Sequence, residues 1–135
     1  MALMTWRDQY SVGIETLDNQ HKAVLRILNE IHAASLRGKA REVAGPLLSQ
    51  LVCLAGEHFS TEERLMESTR FPGLAGHRAE HQKLTGKLRE FVSRHEKGDA
   101  AVYAQLLHFL RDWLNKHEQT EDQEYARWVG ACGVK

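Results

Sequence analysis

The chain has 135 residues, two cysteines, and eighteen basic against eighteen acidic side chains. That length suits one domain, residues 1–135, with a core of its own. The balanced charge argues against nucleic acid as a partner, and no apolar run approaches the roughly 20 residues that membrane insertion requires. Cys53 and Cys132 form no CxxC pair, and the start shows no basic region followed by an apolar run. A cytoplasmic chain without a signal peptide is the expectation.

Residues 1–15 read as an N-terminal arm. The first helical stripe follows, with Leu17, His21, Val24, Leu25, Leu28, Ile31 and His32 at 3.6-residue spacing; Thr16 or Asp18 is available as its N-cap and Gly38 as its stop. The second stripe is Leu47, Leu51, Leu54, Ala55, His58, Glu62, Leu65 and Met66, with Pro46 expected in its first turn or else at a kink. Thr69 to Gly76, holding Pro72 and two glycines, reads as a loop. His77, His81, Leu84, Leu88, Phe91, Val92 and His95 make the third stripe, ended at Lys97-Gly98. Asp99 can cap the fourth, which runs through Tyr103, Leu106, Leu107, Leu110, Trp113, Leu114 and His117. Residues 123–135 form a short tail that Tyr125, Trp128 and Val129 can pin. Four amphipathic helices on short loops predict an all-α, up-down-up-down antiparallel four-helix bundle.

Eight histidines stand in this chain, and five recur on the predicted buried faces at matching heights. His21 lies early in the first helix and His58 late in the second; His77 and His81 open the third, and His117 closes the fourth. In an antiparallel bundle these positions share one end. Burying such polar groups without partners costs a few kcal/mol each, and a shared metal ion removes that cost. His32 and His95 sit about 16 and 21 Å along their helices from His21 and His81, and His108 faces away from His117. These three are expected to be structural or surface residues.

His58 with Glu62, and His77 with His81, are i, i+4 pairs that share a helical face and can converge on one centre. Glu63, at i+5 from His58, should point away. Near His117 the periodicity favours Glu121 as a further carboxylate over Asp122, which is rotated about 140° from His117 in a regular helix.

The motifs Trp6-x3-Tyr10-Ser11-Val12-Gly13, Asp18-x-Gln20-His21, His58-Phe59-x-x-Glu62-Glu63, His77-x3-His81 and Trp113-Leu114-x-x-His117-x4-Asp122 together resemble the hemerythrin family over nearly the whole chain. The resemblance implies two iron ions joined by an oxo or hydroxo bridge. It places His77, His81 and His117 on one ion and His21 and His58 on the other, with Glu62 and Asp122 bridging both. It thereby selects Asp122 over Glu121, which requires the fourth helix to end or become irregular between His117 and Asp122. Five imidazoles, four carboxylate contacts and two from the bridge leave one vacancy on two octahedral ions, where the resemblance places dioxygen.

Val24, Leu25, Phe59, Trp113 and Leu114 are the candidates for the surrounding oxygen pocket. The family usually carries an apolar residue after the fourth-helix histidine; this chain has Glu118, an acid that can donate protons, admit water or occupy the vacancy if it faces the pocket, or form a surface ion pair if it turns to solvent. The function implied is oxygen storage or transport by a monomer, with an oxygen-consuming enzyme as recipient. The alternative is a di-iron redox enzyme, such as a peroxidase, or an oxygen sensor. No Glu-x-x-His pair of the ferritin-like kind occurs, and His117-Glu118-x-x-Glu121 lacks the second histidine of a zinc-hydrolase helix.

Overall fold

The computed structural model describes residues 5–7, 10–11, 13–116 and 122–131. Helices α1 (Glu15–Leu36), α2 (Ala40–Ser68), α3 (Leu74–Glu96) and α4 (Val102–Lys116) are followed by α5 (Asp122–Ala131). Each of the first four packs on its neighbour in the chain, and α1 also meets α4, which closes the square of a four-helix bundle.

The turns follow from backbone chemistry. Gly38 and Gly98 take left-handed φ of 69° and 80°, a region open to glycine at little cost, and so stop α1 and α3. Arg70 takes the same role after α2 with φ 55°, and the Phe71 N–H then reaches back to the Met66 carbonyl at 2.8 Å. Three boundaries differ from the sequence reading. Pro46 lies in the second turn of α2, because the helix already starts at Ala40; lacking an N–H, it leaves the Glu42 carbonyl without its helical donor. The loop after α2 is shorter than expected, since α3 begins at Leu74. Ile14 occupies the N-cap of α1 without a side-chain cap, and Asp18 instead accepts a 2.5 Å hydrogen bond from the Ser11 hydroxyl. That bond fixes the arm on α1, where Trp6 packs edge-on to the buried Tyr10.

Two apolar clusters fill the bundle. The larger runs from Ile31, Leu48, Phe91 and Leu106 to Val24, Phe59 and Leu114. The smaller gathers Ile14, Leu17, Met66, Phe71, Tyr125 and Val129 at one end. Residues 123–131, expected as a tail, are therefore helical. The buried Tyr125 and Val129 seat α5 on that end, and the Trp128 indole N–H donates to the Thr69 carbonyl at 2.9 Å.

Asp99 organises the α3–α4 turn. Its carboxylate accepts from Arg94 Nε at 2.8 Å and from the Ala101 N–H at 3.0 Å. The Arg94 hydrogen bond first, and the Ala101 bond second, hold its carboxyl below the usual value of 3.8. A pKa lowered in the folded state stabilises the fold above the unfolded value, and that contribution fades as pH falls through the folded value. Asp99→Asn is therefore expected to lower the urea midpoint more at about pH 7 than at about pH 2. Equal losses at both would assign the effect to something other than the carboxylate charge.

Candidate metal centre

Between the two apolar clusters lies a polar island. His21 and His58 are fully buried, Glu62 is fully buried, and His81 is 3% exposed. A carboxylate removed from water in this way demands compensation by positive charge or by several donors. Glu62 sits one turn after His58 on α2, and its two oxygens face different partners. Oε1 lies 2.5 Å from His58 Nε2, and Oε2 lies 3.2 Å from His81 Nε2 across the α2–α3 interface. From α1, His21 Nε2 comes within 2.9 Å of His58 Nε2. The half-buried His77 completes a second group with Glu62 and His81.

These spacings suit a metal. Two nitrogens bound at about 2.1 Å to one ion, at a right angle, lie about 3.0 Å apart, close to the separation of His21 and His58. Imidazole and carboxylate together accept several transition-metal ions, iron among them. Glu62 belongs to both potential cation-binding groups, His21–His58–Glu62 and Glu62–His77–His81, within each of which the donor atoms lie no more than 4.8 Å apart. One carboxylate thus joins two donor sets.

The outer nitrogens are anchored as well. His58 Nδ1 meets the Gln20 amide oxygen at 2.8 Å, and the Gln20 amide nitrogen donates to Thr61 Oγ1 at 3.1 Å. An amide oxygen only accepts, so Nδ1 carries the proton and the Nε2 lone pair faces inward. On the other side, His81 Nδ1 meets Glu63 Oε2 at 3.0 Å, while Glu63 Oε1 receives Arg78 Nε at 3.1 Å. Glu63 therefore does not point away from the site, as its i+5 offset from His58 suggested. It leaves α2 toward α3 and reaches the outer edge of a ring that belongs to another helix. The contacts of Gln20 and Glu63 with the cluster were both missed in the sequence; the available signal was that each stands beside a candidate ligand within its motif.

His95, His108 and His32 are elsewhere. His95 Nδ1 bonds the Tyr103 hydroxyl at 2.8 Å, His108 is exposed beside Asp112, and His32 is half-buried on α1. His117, Glu118 and Glu121 lie outside the described residues, and Asp122 is described only as the first residue of α5.

The model of the Hemerythrin HHE cation binding domain matches residues 12–129. The chain belongs to the hemerythrin family. A bacteriohemerythrin of Stenotrophomonas maltophilia is 32% identical over 99 residues, covering 73% of this chain and 64% of that protein. The chain thus matches under two thirds of that relative's length. A bacteriohemerythrin of Methylococcus capsulatus is 32% identical over 110 residues, covering 81% of this chain and 83% of its own. A crystal structure of wild-type hemerythrin, 31% identical, superposes with a TM-score of 0.85 over 95% of this chain and 98% of that one.

In this chain the aromatic surround is closely built. Phe59 stacks on His81 with centroids 4.2 Å apart and planes 12° from parallel. The Trp113 ring stands edge-on to His21 and His58, 6.4 and 6.2 Å away. Val24, Phe59 and Trp113 also line a small internal cavity, floored by Ala55, Leu84 and Leu110. Leu25 and Leu114 are buried in the larger core cluster and do not line that cavity.

Glu62→Ala is expected to remove the bridge between the two donor sets and, with it, all tightly held metal, as measured by elemental analysis after gel filtration. One firmly retained ion per chain would show that a single donor set suffices. The triple variant His32→Gln, His95→Gln, His108→Gln is expected to keep the metal content of the parent; its loss would place one of these histidines at the centre.

Proposed function

We propose that this member of the hemerythrin family binds dioxygen reversibly at a non-haem di-iron centre, for storage or transport. The observation that carries this reading is the fully buried Glu62, whose two oxygens face separate imidazole groups. His21 and His58 hold one iron in this reading, and His77, His81 and His117 hold the other. Glu62 and Asp122 span both. Residues 1–135 act as one domain, as a monomer in the cytoplasm, with an oxygen-consuming enzyme as recipient.

When bound, the iron pair supplies the two electrons that dioxygen takes up. The chain's own residues prepare its surroundings. Gln20 and Glu63 keep the protons of His58 and His81 on Nδ1, so both Nε2 atoms offer lone pairs inward. Glu62 supplies a negative charge in a region that water does not reach, which raises its attraction for cations. Phe59 and Trp113 cover the imidazoles with apolar surface. The adjoining cavity is small, and the described residues that line it turn apolar surface inward, so they offer no partners to hold an ordered water. Dioxygen is apolar and has no such requirement.

The test is an optical spectrum of the iron-loaded protein, reduced without air and then exposed to oxygen. A visible absorption band is expected to appear with oxygen and fade on its removal. A spectrum indifferent to oxygen would overturn the proposal.

A second reading, a di-iron peroxidase, draws on Glu118 in place of the family's apolar residue. An acid near the centre supplies protons and shortens the life of the oxygenated protein. Glu118→Ile is expected to slow loss of the oxygen-dependent band and to lower peroxide turnover at matched iron content. Identical decay in the two proteins would remove Glu118 from the pocket and leave the carrier reading alone.

A further inference from the structure

The two anchored imidazoles are held by partners of different charge. His58 Nδ1 donates to Gln20, a neutral amide, and Gln20 leads on to Thr61, whose hydroxyl donates to the Glu57 carbonyl at 2.8 Å. That arm carries no formal charge. His81 Nδ1 donates to Glu63, a carboxylate, and Arg78 ties Glu63 to Glu67 through contacts of 3.1 and 3.4 Å. Two carboxylates against one guanidinium leave this second arm one negative charge.

A carboxylate accepting from the outer nitrogen makes an imidazole a stronger donor at its inner one, because it stabilises positive charge developing on the ring. An amide oxygen does so less. The effect on His81 is direct, since that ring is nearly enclosed and stacked against Phe59, with little water to screen it. Arg78 and Glu67 are exposed and are screened more strongly. We propose that Glu63 and Gln20 act as positioning residues that make the two halves of the centre unequal, so that the His77–His81 half binds its cation more tightly than the His21–His58 half. This inference rests on the metal-centre reading. His117 is proposed to add a third imidazole to the same half, which acts in the same direction, so the test must isolate the charge of the arm.

The test uses the full chain loaded with cobalt(II), titrated with EDTA and followed by proton NMR. Cobalt shifts the Nδ1–H signals of His58 and His81 far from the ordinary range, so each half has its own reporter. The His58 signal is expected to disappear first, with the two losses separated at least tenfold in chelator concentration. Glu63→Gln keeps a hydrogen-bond acceptor and removes the charge; it is expected to narrow the separation by about tenfold. Gln20→Glu is expected to narrow it by a similar factor from the other side, and it carries the test alone if Glu63→Gln does not fold. Simultaneous loss in the parent chain, or a separation unmoved by both exchanges, would overturn the inference and leave Glu63 as a surface partner of Arg78. A chain that retains two cobalt ions without order refutes this inference alone, whereas a chain that takes up no cobalt refutes the metal-centre reading as well.

Discussion

A carboxylate with no exposed surface governs this molecule. Glu62 stands inside a bundle whose other interior positions are almost all apolar, and the free energy of holding an anion there must be offset by its neighbours. That requirement fixes the rotation of three helices at once. α2 must turn Glu62 and His58 inward together, α1 must present His21, and α3 must present His81 at the same height. The apolar clusters on either side then follow, because the faces that carry these residues also carry Leu17, Val24, Phe59, Met66 and Leu84.

The anchors outside this group show how precision is reached with flexible side chains. A histidine can rotate about two bonds, and a donor atom displaced by an ångström is a poor ligand. Gln20 and Glu63 fix the far side of each ring, and Phe59 limits the tilt of His81 by lying flat against it. All three restraints come from another helix than the ring they hold, so correct ring placement depends on correct packing of the whole bundle.

Much of this was legible in the chain itself. Stripes at 3.6-residue spacing mark four helices, and the i, i+4 pairs His58–Glu62 and His77–His81 mark a shared face, because helix geometry alone relates such residues. The anchors could not be read that way. Gln20 and His58 are 38 residues apart, and Glu63 and His81 are 18 apart; whether they touch depends on how one helix is rotated against the next. The helical fold of residues 122–131 was missed for a related reason. A ten-residue segment has too little intrinsic helicity to declare itself, and its helix rests on where Tyr125 and Val129 dock. His32, His95 and His108 could be set apart from the cluster because rise and rotation per residue fix distance and facing along a helix without tertiary knowledge.

That dependence of α5 on docking also bears on timing. A helix of ten residues held by Tyr125, Val129 and the Trp128–Thr69 bond opens far more readily than the middle of the bundle, where α1 to α3 are each more than twenty residues long. Amide exchange should therefore divide the molecule into a slow centre and a fast end, with Phe71 and His77 on the boundary because both rings pack against Tyr125. The end that opens first is the one packed against the His77 ring, well before the bundle itself comes apart.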